Sequence, residues 1–384
     1  MMTVGILYPS SNAHVDIGVD FIDGIKAFFE KEMPDSPIKL LIEGIGFGGS
    51  EKEVYQKAEK LIRIEKVDVL VAFIDYKVLA ILEPLIFSTG SLLLVVNAGA
   101  NYPSNWISQP NIIHLTLQHA FLNRLSGKLA GESASGNNNA ALATTFFDCG
   151  YLHNAAIING FMQKQGTLTR NYINRGAYDE SFNIGELIHF LSANPDTTKL
   201  LCTFDSLPAA LFYKRLNTYK DANKLQLFVS PMMLEKKALD GMIDGASFSV
   251  QGHMPWQTSL ENEYNKYFIE CFEVYAKKEV SMFALLGWEA GLVMQQIFQW
   301  DFYRQGTELV EQLKKVTLNS PRGPMKLHDE THWFLSPANY CSVANGEINT
   351  QIINNETIER QWAEFISIEA DSMSSGWMNT YLCY

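Results

Sequence analysis

Long apolar runs are missing from this chain. Stretches such as 67–74 and 92–96 stop far short of the about 20 residues that a membrane-spanning helix needs, and they suit strands buried on both faces of a parallel sheet. Positive charge is also scarce. Thirty Lys and Arg face 42 Asp and Glu, a formal charge of −12, and no cluster of five or more basic residues occurs. Such a surface repels polyanions and argues against a nucleic-acid partner. Cysteine is sparse and scattered at Cys149, Cys202, Cys271, Cys341 and Cys383, with no Cys-x-x-Cys pair. That spacing argues against a structural zinc site, so most of the thiols read as small buried hydrophobes, while one pair could bridge in an oxidising compartment and the sequence does not choose it. Neither G-x-S-x-G nor H-E-x-x-H is present, which removes the common hydrolase and metalloprotease signatures.

What the chain does have is a regular alternation of apolar strands and amphipathic helices. A strand at 3–8 passes through Pro9, Ser10 and Ser11 into a helix at 16–32 with the apolar stripe Ile17, Phe21, Ile25 and Phe28. Strands at 38–42, 67–74 and 92–96 follow, separated by helices at 50–65 and 76–87. This order predicts a parallel, doubly wound sheet with helices on both faces. The rhythm restarts after Asn111, with a helix at 118–132. Strands then fall at 140–146, 168–173, 199–204, 226–230 and 246–250, and helices at 153–165, 182–192 and 208–219. Two sheets are more economical than one very wide one. Beyond Pro321 the pattern changes to short antiparallel strands at 325–328, 332–335, 340–344 and 348–353. Asn345-Gly346 marks a hairpin between the last two. Residues 356–370 read as a helix and the last dozen as loosely held.

One enzyme signature competes. Gly44, Gly46 and Gly49 satisfy G-x-G-x-x-G between a strand and a helix. A dinucleotide fingerprint belongs on the first strand of its domain, however, and this one follows the second. It reads as a glycine-rich turn. His328, Asp329, Glu330 and His332 fall in an expected turn and read as a solvated loop, and His114, His119 and His253 as individual structural residues. Neither a cofactor nor a metal is implied.

The stretch 261–298 carries two tandem helices, the first with Phe268, Phe272 and Tyr275 at helical spacing, the second with Gly287, Trp288, Glu289 and Ala290. Together with VGILYPSS and GVDFIDGIKAFFE at the start, AEKLIRIEKVDVLVAFIDYKVLAILEPL, VVNAGANYPSN and SPRGPMKLHDETHW, it resembles the type I periplasmic solute-binding proteins, the group that includes branched-chain amino-acid binders. The resemblance covers about residues 3–345 by order of elements. It implies an α/β fold of two doubly wound, mostly parallel-sheet lobes joined by three crossovers. Lobe one would comprise 1–118 and 252–320, lobe two 119–251 and 321–355, and 356–384 a C-terminal helix and tail.

It further implies a ligand cleft at the C-terminal strand ends, where helix N-termini present free amides. Candidate contacts are then Ser10, Ser11, Asp75, Tyr76, Asn97, Ala98, Gly99 and Asn101 from lobe one. Lobe two offers Phe147, Asp148, Phe204, Asp205, Ser230 and Met232, and Trp256 stands just beyond the second crossover. Each also reads as a turn residue or helix cap. Capping weighs most for Ser11, Asp205 and Ser206, and ligand contact for Tyr76, Asn97, Asn101 and Phe147. Asp75 and Asp148 suit an ammonium or hydroxyl partner. The chain departs from the amino-acid binders in presenting Asn97-Ala98-Gly99-Ala100-Asn101 where they carry a hydroxyl-rich loop, and in placing Asp75, which repels a carboxylate unless Lys77 compensates, after the third strand.

The function this implies is an extracytoplasmic solute-binding protein, not an enzyme. It would capture a small polar molecule, such as an amino acid or amide, for the membrane permease of an ABC importer. A ligand sensor of the same fold is the alternative, and a nucleotide-dependent enzyme a weaker one. The protein would be periplasmic or lipid-anchored once a leader is removed, or cytoplasmic if Met1 is the native start, and a monomer or weak dimer.

Overall fold

The computed structural model describes residues 1–103, 105–133, 138–145, 150–176, 179–240, 242, 246–300, 305–344, 347–367 and 381. The chain begins with the expected alternation: β1 (Met2–Tyr8), α1 (Ile17–Glu32), β2 (Ile38–Gly44), α2 (Glu51–Glu59), β3 (Val69–Phe73), α3 (Tyr76–Thr89), β4 (Leu92–Asn97) and β5 (Ile112–Thr116). These strands form a five-stranded sheet in the order β2-β1-β3-β4-β5, parallel throughout. Every residue of β3 and β4 is buried, as their unbroken Val/Leu runs require of strands covered by helices on both faces. Local chemistry sets the helix ends. Ser50 Oγ accepts the Glu53 amide at the start of α2, and Gly90, at φ 68°, closes α3 in the left-handed conformation.

The second unit contains α4 (His119–Glu132), β6 (Asn139–Thr145), α5 (Gly150–Gln163), β7 (Thr167–Asn174), α6 (Gly185–Ala193), β8 (Lys199–Thr203), α7 (Ser206–Leu216), β9 (Gln226–Val229), α8 (Lys236–Leu239) and β10 (Ser249–Met254). The chain then forms α9 (Glu263–Ala276), α10 (Met282–Gln299) and α11 (Gly306–Leu313), which pack on α1, β4 and β5 of the first sheet. A small antiparallel sheet of β11 (Thr317–Ser320), β12 (Gly323–Leu327) and β13 (Phe334–Leu335) follows. Finally β14 (Ala338–Ala344) and β15 (Glu347–Ile353) return to the second sheet as an antiparallel edge, and α12 (Asn355–Ile366) ends the helical chain. That sheet has seven strands, ordered β15-β14-β10-β9-β8-β6-β7. The result is a two-lobed α/β protein with mostly parallel sheets, as the alternation predicts. Among the described residues no helix is long and apolar enough to cross a membrane.

Several boundaries moved. The strand expected at 246–250 runs instead over Ser249–Met254, because pairing with β9 on one side and β14 on the other outweighs the weak strand character of Gly252 and His253. Strands β5 and β11 had no counterpart in the sequence reading. β5 carries His114 in its middle, and its pairing along β4 supplies the order that its short pattern does not. β14 and β15 pair in the register expected of a hairpin, while Asn345 and Gly346 lie outside the described residues. Helix α10 approaches α1 so closely that a Cβ on Gly24 would lie 2.2 Å from the Ala284 carbonyl oxygen, and one on Gly287 2.1 Å from that of Phe21. This contact seats the N-terminal end of α10, with Phe283, beside the loop that follows β1.

Candidate functional site

The loops at the C-terminal ends of both sheets converge. After β1, Ser11 Oγ accepts the His14 amide at 3.1 Å and turns the loop toward the other lobe. The His14 imidazole Nε2 then lies 2.8 Å from Oδ2 of Asp205, which follows β8. Burial works against a charge on His14, but the hydrogen bond and the negative charge of Asp205 outweigh it and raise its pKa. The pair therefore joins strand ends of the two separate sheets.

Glu235 stands next to this pair, between the turn after β9 and α8. Burial pushes its carboxyl up to about 7, partly countered by a hydrogen bond from Tyr381. Tyr381, at the far C-terminus, is itself buried, with its hydroxyl donating to Glu235 Oε1 at 2.5 Å. Its ring meets His14, Phe283 and His119 edge-on, at centroid distances of 4.9, 5.0 and 5.5 Å. His119, the first residue of α4, stacks on His153 of α5 at 6.0 Å. Both rings are fully buried, and neither nitrogen of His119 has a hydrogen-bond partner among the described residues. Burial drives the His153 pKa down to about 3, and burial, then His153, then Arg322 hold His119 well below its ordinary value. Both are neutral rings at physiological pH.

A cavity of about 730 Å³ opens from the same walls, lined by His14, Glu235, Met254, Trp256, Phe283 and Cys341 among others. It is large enough for a drug-sized or smaller solute.

The sequence-derived candidates separate into groups. Asp205 reaches across the gap and Trp256 lines the cavity, its indole nitrogen donating to Asn265 Oδ1 at 2.7 Å. Ser11 shapes the loop that carries His14. Ser10 is exposed, with its amide on the Gly46 carbonyl at 2.7 Å. On the other side of the first sheet, Asn97 donates to the Ile74 carbonyl and accepts the Gly99 amide, so both ends of its side chain brace the turn. Gly99 has φ 68°, and a Cβ there would lie 2.8 Å from the Gln118 amide nitrogen. Gly99→Ala should therefore cost about 1–3 kcal/mol in a denaturant melt; no loss would mean that the loop relaxes freely. Ala98 is buried, and its carbonyl takes the His119 amide at 3.0 Å.

Asp75 accepts from Asn101 Nδ2 at 2.8 Å, while Asn101 Oδ1 has no partner among the described residues. Tyr76 stacks on Trp333 at 5.7 Å and on His114 at 5.5 Å, within the aromatic cluster under α12. Phe204 stacks on Phe212 at 4.4 Å, and Met232 is fully buried. Ser230 is buried, and its hydroxyl has no partner among the described residues. Phe147 and Asp148 lie outside the described residues.

His14, His119, His153, Glu235, Phe283 and Tyr381 were missed. His14 was the one with a usable signal, since it stands in the loop after β1 beside the chosen Ser11. His332, read as part of a solvated loop, is buried, with Nδ1 3.0 Å from the Ile112 carbonyl oxygen. Among the described residues Cys202, Cys271 and Cys341 are free thiols, all buried.

Two lobes of parallel sheet, passed three times by the chain, with converging strand-end loops and a cavity among them, define the architecture of type I periplasmic binding proteins. A family model for periplasmic binding proteins matches residues 2–347, and the chain belongs to that family. Among solved structures it is similar to an ABC transporter substrate-binding protein from Sphaerobacter thermophilus, at 15% identity and a TM-score of 0.77 over 92% of this chain and 98% of that one. A solute binding protein of an ABC transporter from R. palustris, in complex with benzoate, is similar at 18% identity and a TM-score of 0.70, over 93% of this chain and 98% of that one. A branched-chain amino acid transporter substrate binding protein from Streptococcus pneumoniae, in complex with isoleucine, matches at 13% identity and a TM-score of 0.68, over 92% of this chain and 99% of that one. At these identities the likeness is one of fold. No curated protein matches the chain.

Proposed function

We propose that this protein captures a small polar solute between its lobes, outside the cytoplasm, and delivers it to the membrane permease of an ABC importer, without catalysing a reaction. The observation that carries this reading is the His14–Asp205 contact, 2.8 Å long, which ties the strand ends of one lobe to those of the other beside a cavity of solute size. A contact of this kind exists only when the lobes are closed, and so it supplies the differential stabilisation that a clamp requires. The solved relatives in complex with benzoate and isoleucine support a small organic ligand. Asp205 and Glu235 disfavour a bare carboxylate in their neighbourhood and favour a neutral or amine-bearing group. An amide, an amino acid gripped by its ammonium, or a hydroxylated ring meets that condition.

The lobes divide, in this reading, at passages near 118 and 251, as the order of elements suggests. In the same reading we take the third passage at Ser336–Pro337, where the sequence suggested one near 321; the packing of β11 on α9 and α10 and of β13 on β5 supports this.

Thermal-shift titration of the full chain against amino acids, amides, hydroxylated aromatics and nucleotides tests the function. A true solute at a hundred times its dissociation constant adds about 2.7 kcal/mol of stability. Stabilisation by nucleotides alone, or turnover of a bound compound, would overturn the reading. The His14–Asp205 contact also carries a pH dependence. Because the His14 pKa is raised, the stabilisation is complete below its ordinary value of 6.5 and is lost as pH climbs through the raised value. Glu235 ionises in the same region, so the informative comparison is between wild type and Asp205→Asn. The wild type should lose solute affinity on the alkaline side, and the variant should show a weaker, flatter profile. Identical profiles would remove the pair from the closing mechanism.

A further inference from the structure

We propose that the pocket around Tyr381 is a phenol-binding subsite, occupied by the chain's own tyrosine until a solute bearing a hydroxyphenyl ring displaces it. The inference rests on the solute-binding reading and names a chemical class for it. Tyr381 is only 2% exposed. Its ring is held by edge-to-face contacts with His14, Phe283 and His119, between 4.9 and 5.5 Å. Such contacts add about 0.5–1.5 kcal/mol for an aromatic ring beyond its burial. An aliphatic group gains nothing from them. The hydroxyl is received by Glu235 Oε1, a carboxylate acceptor for an O–H donor.

Two independent features point past the tyrosine to an exchangeable occupant. His119 is fully buried, faces the ring, and has both imidazole nitrogens without partners among the described residues. A packed structural core ordinarily satisfies such groups. In addition, His14, Glu235 and Phe283 are shared between the Tyr381 pocket and the cavity of about 730 Å³, so a ring placed there has room for further substituents. His14, Asp205, Glu235 and Lys237 are the charged and titratable groups around that junction. A tethered ring competes as an intramolecular ligand at an effective concentration in the millimolar range, so it lowers the apparent affinity for any solute that needs its place.

The test uses 4-hydroxybenzyl alcohol and benzyl alcohol, which are neutral and differ only in the ring hydroxyl, titrated calorimetrically into the full-length protein. Tyr381→Ala should bind 4-hydroxybenzyl alcohol at least tenfold more tightly than wild type, and benzyl alcohol at least tenfold more weakly than the phenol. Adding Glu235→Leu to that variant, which leaves no acceptor for the ring hydroxyl, should remove most of the preference. Tyr381→Phe, which keeps the packing and loses the hydroxyl, should show an intermediate gain and guards against a folding defect in the alanine variant. Equal affinity in wild type and both Tyr381 variants, or indifference to the ring hydroxyl, would overturn the subsite. If another solute found by screening still binds while these variants change nothing, the phenol subsite alone falls. If no compound of any class binds any of the proteins, the solute-binding reading falls with it.

Discussion

Replacing Arg322 by methionine should lower the unfolding free energy by about 3–5 kcal/mol. Arg322 and Glu289 are both fully buried and meet at 2.6 Å, Nη2 to Oε2, with a second bond from Nε to Oε1 at 2.8 Å. Arg322 Nη1 also donates to the Thr116 carbonyl at 3.0 Å, and the Ser320 hydroxyl donates to Glu289. Removing the guanidinium strands a carboxylate inside the protein, away from water and from any opposite charge. That penalty, more than the lost attraction, sets the size of the effect. It follows that Glu289→Leu combined with Arg322→Met should recover most of the loss, since no charge then remains to be compensated. Urea unfolding of the two single variants and the double one checks this. A loss below about 1 kcal/mol in Arg322→Met, or a double variant as unstable as the sum of both, would show that water reaches the site. The site has a place in the mechanism too. Arg322 clamps β12 to α10 and to the last residue of β5, which leads into the first passage between the lobes. Weakened solute binding should accompany the loss of stability.

Trp362→Ala should cost about 3–5 kcal/mol. Its indole is fully buried, with ring centroids 5.1 Å from Trp333, 5.3 Å from Phe121 and 5.3 Å from Trp106. These neighbours come from the residue just before β13, from α4 and from the segment after β4, so α12 is the piece that locks three distant parts of the chain together. The helix is also held by Glu364, which pairs with Lys128 at 2.8 Å and Arg124 at 3.1 Å. The hydrogen bond from Lys128, with those from Gln163 and Arg124, holds the Glu364 carboxyl down at about 2. Because Trp362 Nε1 has no hydrogen-bond partner among the described residues, Trp362→Phe keeps most of what matters and should cost under about 2 kcal/mol. Equal losses for alanine and phenylalanine would mean that the indole nitrogen, and not the packing, carries the energy. α12 also precedes Tyr381 in the chain, so loosening it should raise the apparent affinity of the phenol subsite for added 4-hydroxybenzyl alcohol.

The candidate site was legible at the level of loops and much less so at the level of side chains. The segments after β1, β3, β4, β6, β8 and β9 are the candidates that the resemblance implies, since strand ends face the ligand in this architecture, and Phe147 and Asp148 after β6 lie outside the described residues. Within them the sequence reading favoured polar residues. Asn97, however, spends both ends of its amide on neighbouring backbone, and Tyr76 turns into the cluster beneath α12. A short polar side chain at a strand end has two physically similar uses, and only the local backbone path selects between them. Glu235 and Tyr381 gave no sign at all, since each looks like an ordinary surface or tail residue until the other stands opposite it.

Periodicity alone was enough to predict doubly wound parallel sheet, because runs such as those in β3 and β4 are stable only when helices cover both faces, and that is a local property of a few consecutive residues; the division into two lobes came from the family resemblance. The order of these units was equally readable, and it carries the family. The tertiary structure decided everything that depends on residues far apart in the chain. It sets His14 against Asp205, Arg322 against Glu289, and Tyr381 between His14, His119 and Phe283. Partners of that kind are fixed by the packing of whole elements, such as the close approach of α1 and α10 at Gly24 and Gly287, and no short window of sequence contains both sides of the contact.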